Sequence, residues 1–404
     1  MRIGLAVGTW APVGGSERYA LDVGTELAAA GDEVVVLCAD EDAPAPDGGR
    51  LLRYAPLGDL FAREEEHPTG PAEAALRAAE LDVVFLVSSV APWVAARLGS
   101  IAPMVRFVQD HTFFCPGLNK RRSDGSICSR PAPVACAPRV LDGGCRDLPT
   151  GWVGLRRVLG RARDLRRRGS SRALVVASSY MRDEVVAAGV PADRVTTLPY
   201  FTRATPGDEA PLRADSAEFL ERQQGRPLVL CAARLVPEKG LDFLLEGVAR
   251  VPGCAAVIAG DGPERARLEA AVEGHGLTGR VHLTGWIDVE PMRALLRHCR
   301  VSVMPSLWAE PFGIVGLEAM AAGRATIATA AGGALEWTAP EETGLLVPPG
   351  DVPALVTALG RMCEDPDLAA RLGAAGKERV ERLYRAPRHV EGLRRLLASS
   401  IAPT

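Results

Sequence analysis

The sequence has no long hydrophobic run. Its longest uncharged stretches, Ile3–Ser16 and Val83–Ala96, are 14 residues each, short of the roughly 18 apolar residues that cross a bilayer as a helix. Neither predicts a membrane span. Net charge is small as well: 47 Lys and Arg against 50 Asp and Glu give −3, which argues against general nucleic-acid binding and implies no polyanionic partner. The nine cysteines contain no Cys-x-x-Cys pair, so the spacing of a zinc ribbon is absent. Short-period repeats and low-complexity segments are missing too. The first uncharged stretch has only Arg2 before it and turns into Gly14-Gly15 without a small-residue cleavage pattern. It does not read as a signal peptide, and the expected location is the cytoplasm.

What is present suits two domains with a cleft between them: 404 residues, 47% hydrophobic and 24% charged, with 42 Gly and 31 Pro. "MRIGLAV", "DEVVVLCAD", "LDVVFLVSS", "PMVRFVQD" and "ALVVASS" are short apolar runs separated by helical or irregular segments, the first followed by an amphipathic stretch over Glu17–Ala30. Uniformly apolar strands alternating with helices predict a parallel sheet covered on both faces. Residues 202–226 are polar and Pro-rich at both ends and read as an interdomain linker. A second series begins at "PLVLCAARL" and continues through "AAVIAGDGP", "RVHLTG", "VSVMPSL", "RATIATAAGG" and "TGLLVPPGD". The expected organisation is an N-terminal Rossmann-like domain over 1–201 with a Cys-containing loop at 115–145, a C-terminal Rossmann-like domain over 227–380, and a helix over 381–404 that packs back on the first domain.

Open parallel sheets bind ligands beyond the carboxyl ends of their strands, so the loops there carry the functional reading. In "RLVPEKG", Arg234 ends a strand and Lys239 opens the next helix. Both cations can converge on one anion, for which a diphosphate is the natural candidate. "GDGPE" supplies Gly260 and Gly262 for a tight turn ahead of a helix N-terminus, although such a turn is also ordinary in this kind of fold. "EPFGIVGLEAMAAG" places Glu310 just after a strand and Glu318 eight residues later, about two turns into a helix opening at Phe312. Carboxylates there can accept hydrogen bonds from sugar hydroxyls, and the free N–H groups of Phe312, Gly313, Ile314 and Val315 can bind phosphate. The plain alternative is a helix with a surface acid at each end.

Taken in order, "RLVPEKG", "GDGPE" and "EPFGIVGLE" resemble the donor-binding signature of the retaining glycosyltransferases of family 4, whose two-Rossmann architecture is called GT-B. The resemblance extends over most of the chain through "GGSE" and "ASSYMRDEVVAAGVPADRVTTLPYF". It implies Arg234 and Lys239 on the donor pyrophosphate, Glu310 on the transferred sugar, Glu318 on the nucleotide ribose, and Gly14-Gly15 near donor phosphate or acceptor. It also implies a retaining transfer without a metal, in which the departing phosphate oxygen takes the acceptor's proton, with a UDP-sugar ahead of GDP as donor. An epimerase of similar fold and an inactive nucleotide-sugar-binding homologue are the rival readings. One departure stands out: where the family commonly has a His-Asp pair, this chain reads "VQDHTFFCPG". Gln109 occupies the His position: either His111 takes over, or Gln109 only orients the sugar by hydrogen bonds, or the donor is unusual, and His111 reads either as functional or as a simple loop or structural histidine.

Cys115, Cys128, Cys136 and Cys145 fall 13, 8 and 9 apart in a Pro/Gly-rich insertion. A structural metal, disulfides and free thiols all fit that pattern. "GLRRVLGRARDLRRRGSSR" gathers eight arginines between Arg156 and Arg172 against one Asp, with Leu and Val at helical spacing. It reads as an amphipathic basic helix for anionic lipid or a phosphorylated acceptor, or as a solvated face.

Overall fold

Runs of β-branched and aliphatic residues become two parallel sheets because each run is buried on both faces and has a helix or loop to cover it. The computed structural model describes residues 1–12, 14–40, 43, 49–60, 64–66, 70–130, 133–166, 171–203 and 211–401. Glu41 and Asp42 of the acidic "ADEDA", Arg167 and Arg168, and residues 204–210 lie outside these. The described chain divides into two units, Met1–Tyr200 with the segment from Ala386 onward, and Phe201–Arg385.

The first unit holds strands β1 (Arg2–Ala6), β2 (Glu33–Cys38), β3 (Arg50–Arg53), β4 (Val83–Leu86), β5 (Met104–Val108), β6 (Ala173–Val176) and β7 (Val195–Thr197), in the spatial order β3-β2-β1-β4-β5-β6-β7. All its pairings are parallel. Strands β3 and β7 are additions to the five expected from apolar runs; "RLLR" and "VTT" are too short and polar to announce themselves. The helix Gly15–Ala29 follows β1 and starts two residues earlier than its apolar pattern suggested.

The last helix, Ala386–Ile401, packs against the Gly15–Ala29 helix, β4 and β5. His389 fixes it: its Nε2 lies 2.8 Å from the Tyr19 hydroxyl and its Nδ1 lies 2.7 Å from the Pro199 carbonyl. Arg394 adds a salt bridge, Nε donating to the buried Asp32 carboxylate at 2.8 Å. Burial pushes the His389 imidazole down to about 4 against a smaller upward pull from the Pro199 carbonyl, so the ring is neutral at pH 7.

The second unit holds β8 (Leu228–Ala232), β9 (Ala255–Ala259), β10 (Val281–Gly285), β11 (Val301–Met304), β12 (Ala325–Thr329) and β13 (Gly344–Val347), ordered β10-β9-β8-β11-β12-β13 and again parallel. The stretch expected as a linker is corrected in part: residues Ala214–Arg222 form a helix, and its Phe219 is buried in the second unit's core with Leu228 and Leu230. Polar ends concealed an amphipathic middle. Among the described residues no helix is long and apolar enough to cross a membrane.

Candidate functional site

In each sheet the strand order reverses beside the first strand, between β1 and β4 and between β8 and β11. At such a point the connections leave in opposite directions and a crevice opens beyond the carboxyl ends. In the second unit two loops border it, 233–240 after β8 and 305–313 after β11. Their backbones touch. The Leu307 amide donates to the Glu238 carbonyl at 2.8 Å, and Gly240, at φ +66°, passes so near that a Cβ there would stand 2.0 Å from the Pro305 carbonyl oxygen.

This close approach sets Lys239 against Glu310, Nζ donating to Oε1 at 2.5 Å. The Ser306 hydroxyl donates to the same oxygen at 2.6 Å, and the Ser306 carbonyl is held in turn by the Thr329 hydroxyl at 2.7 Å. The Lys239 ammonium also lies 5.7 Å from the centre of the Trp308 ring. Burial raises the Glu310 carboxyl, but the Lys239 charge and the hydrogen bonds from Lys239 and Ser306 outweigh it and leave the group below the usual carboxylate range. Glu310 is therefore a buried anion at neutral pH. Arg234, two residues beyond β8, is exposed and makes no ion pair among the described residues.

The glycines of "GDGPE" have a packing reason. A Cβ on Gly260, at φ +145°, would meet the Ala233 carbonyl oxygen at 2.0 Å, and one on Gly262 would meet that of Leu235 at 2.5 Å. The Leu235 amide donates to the Asp261 carbonyl at 2.9 Å and the Glu264 amide to the Leu235 carbonyl at 3.1 Å. The glycine loop thus braces the segment that carries Arg234 and Lys239. The helix after Glu310 runs over Ile314–Ala321, with Gly313 at φ +89° as its N-cap. Phe312 and Gly313 precede it, and Glu318 sits one turn into the helix, half-buried, where two turns were expected. The buried Phe312 is pinned through its carbonyl, which accepts from the Trp337 indole at 2.8 Å.

In the first unit, Gly14 caps the Gly15–Ala29 helix, and Asp110 accepts from the Thr112 amide at 2.8 Å and from the Ser89 hydroxyl at 3.1 Å. Gln109 is 9% exposed and its side-chain nitrogen has no hydrogen-bond partner among the described residues. His111 is 0% exposed, with Nε2 2.9 Å from the Tyr180 hydroxyl and its ring edge-on to Phe114. The burial of His111 fits its reading as a structural histidine.

The arginine run is not one exposed face. The helix Gly151–Arg166 leaves Arg156, Arg163 and Arg166 exposed with Trp152 (70%) and Leu159 (54%). Arg161 is buried instead, and so is Asp164, which pairs with Arg106 of β5 at 3.7 Å; burial lowers the Arg106 guanidinium against the pull of Asp164.

Sequence reasoning passed over Ser306 and Trp308, although "PSLWAEPFG" sets both beside Glu310. It also passed over Gly333, whose amide donates to the Glu310 carbonyl at 2.6 Å and whose missing Cβ leaves room for the Pro311 carbonyl. The signal was the double glycine after β12.

Comparison with known proteins agrees with a two-sheet transferase architecture. The chain aligns over 99% of its length with Anabaena Alr3699/HepE solved in complex with UDP, covering 100% of that chain at a TM-score of 0.71 and 18% identity, which establishes the GT-B fold. Residues 213–379 match the family "Glycosyl transferases group 1" and residues 14–200 match "Glycosyl transferase 4-like domain". A GDP-mannose-dependent alpha-(1-6)-phosphatidylinositol monomannoside mannosyltransferase of Mycobacterium tuberculosis is 35% identical over 280 residues, 63% of this chain and 70% of the relative. Alpha-D-kanosaminyltransferase of Streptomyces kanamyceticus is 34% identical over 50% of this chain, the match spanning 53% of that relative. The chain belongs to the group 1 glycosyltransferases.

Proposed function

We propose that the chain transfers a hexosyl-type sugar, with retention, from a nucleoside diphosphate sugar to a hydroxyl acceptor, and that the protein's own cations do the work a metal does elsewhere. The Lys239–Glu310 pair at the β8/β11 crevice carries this reading. Lys239 and Arg234 hold the diphosphate, Glu310 accepts from hydroxyls of the transferred sugar, and Glu318 accepts from the ribose. The amides at the start of the Ile314–Ala321 helix face the phosphates. When the sugar–phosphate bond breaks, negative charge grows on the leaving oxygen. Fixed cations stabilise that state more than the ground state. The acceptor oxygen bonds to the sugar carbon, and its proton passes to the departing phosphate oxygen. Gln109 offers its amide nitrogen to a sugar hydroxyl, a role in binding and orientation with no proton exchange. UDP precedes GDP as the base on the family resemblance alone.

The exposed face of the Gly151–Arg166 helix, with Trp152 and Leu159 among Arg156, Arg163 and Arg166, is the peripheral membrane contact in this reading. Apolar anchors among cations suit the interface of an anionic bilayer. Thermal shift and donor hydrolysis with UDP-, GDP-, ADP- and dTDP-sugars in EDTA test the donor site. Stabilisation by one nucleotide class, lost in Lys239→Ala and Glu318→Ala, is the expected result; no binding by any donor supports an inactive homologue. Co-sedimentation with phosphatidylglycerol vesicles, lost in Arg156→Glu/Arg163→Glu, tests the contact.

A further inference from the structure

Cysteines far apart in sequence come to line a single cavity in the first unit. Cys115, Cys128, Cys136 and Cys145 all border a space of about 20 Å³, room for about one water-sized occupant. Layered backbone brings them there. Arg121 bridges Ile127, and Arg122 bridges Cys145. The Cys128 amide donates to the Lys120 carbonyl at 2.7 Å and the Arg146 amide to the Arg121 carbonyl at 3.2 Å. Segments bearing Cys128 and Cys145 thus flank residues 120–122. Gly117 comes so near that a Cβ there would stand 2.5 Å from the Cys145 sulfur.

The rest of the wall is basic. Lys120, Arg121, Arg122, Arg130 and Arg139 line it, and among the described residues no carboxylate does. Lys120 pairs outward with Glu184 and Arg139 with Asp142, so part of this charge is met elsewhere. We propose that Cys115, Cys128, Cys136 and Cys145 bind one zinc-class divalent ion as thiolates.

Binding forms four sulfur–metal bonds, releases four protons to solvent and leaves the centre with two negative charges. The basic wall balances them. Among the described residues no three His, Cys, Asp or Glu side chains already stand in a geometry that grips an ion, so the thiols close in from the wall as the ion enters. Four protein ligands leave no open position, which makes the site structural. It ties down the loop that leaves β5 just beyond Gln109.

The test uses the full chain, expressed with zinc and purified under reducing conditions. About one zinc per chain by elemental mass spectrometry is expected, with the four loop thiols alkylated only after a chelator is added, as mapped on peptides. Cobalt(II) in place of zinc should give the visible absorption of a tetrahedral thiolate site. Cys128→Ser/Cys136→Ser should lower zinc content at least tenfold, while Cys254→Ser leaves it unchanged. If the double variant does not fold, the cobalt spectrum and thiol map of the unsubstituted chain decide. Folded protein without metal whose loop thiols react at once overturns the proposal. So does a disulfide joining any two of the four.

Discussion

Both sheets reverse their strand order beside their first strand, yet the two crevices carry different chemistry. At β8/β11 the loops present an ion pair, a second exposed cation and the start of a helix. At β1/β4 and the neighbouring end of β5 they present Gln109, a locally capped Asp110 and a buried imidazole. The first unit also carries charge within its packing, in the Arg106–Asp164 pair that ties β5 to the Gly151–Arg166 helix and in the buried Asp32 met by Arg394. One architecture thus serves two purposes, according to whether charge stands at the strand ends or within the packing.

Four measurements would break or sharpen that contrast, from the largest expected effect to the smallest. Lys239→Ala should cost about 10²–10³-fold in kcat/KM, the order seen when one electrostatic stabiliser of a transition state is removed. A loss below tenfold in steady-state kinetics would mean that the pair only braces two loops. The neutral His389 gives the first unit its own pH dependence. Its folded value of about 4 lies below the ordinary 6.5, so the unfolded chain takes up a proton that the folded ring resists. Its contribution is complete above pH 6.5 and is lost as pH falls from there toward 4. At about 1.4 kcal/mol per unit this comes to about 3 kcal/mol, and denaturant titrations of wild type and His389→Gln should diverge over that window and run parallel above it.

Gly316→Ala would drive a methyl to within 2.2 Å of the Trp337 ring and should lower unfolding stability by about 1–3 kcal/mol. A drop in nucleotide affinity alongside it would tie the packing to the site, because Trp337 also holds Phe312. Gln109→Ala should reduce kcat/KM about tenfold, the scale of one neutral hydrogen bond. The pH profile should stay unshifted, and a moved limb would point instead to a titrating group there.

The six strands of the second unit were legible because each is a largely apolar run, interrupted at most by His, Ser or Thr, that ends in a glycine, proline or charged turn. Strands β3 and β7 were not, since an edge strand of three or four residues need not be apolar. Arg234, Lys239, Glu310 and Glu318 were singled out as candidates from order and spacing, and the structure brings Lys239 and Glu310 together. Their partners were harder to read: Ser306 stands four residues before Glu310, but Thr329 and Gly333 reach that loop from the end of β12 and the turn after it, and only the fold makes that segment a neighbour. Burial was equally unreadable. Eight arginines within residues 156–172 gave no sign that Arg161 turns inward while Arg163 stays in water.

The return of Ala386–Ile401 to the first unit has a consequence for synthesis. The first unit is encoded in two pieces with the whole second unit between them. As the chain leaves the ribosome, Tyr19 and Asp32 emerge and wait for His389 and Arg394, which follow only after the whole second unit has been made. The unit that starts first finishes last, and a message cut short before residue 386 yields a completed second unit joined to a first whose sheet lacks its final cover.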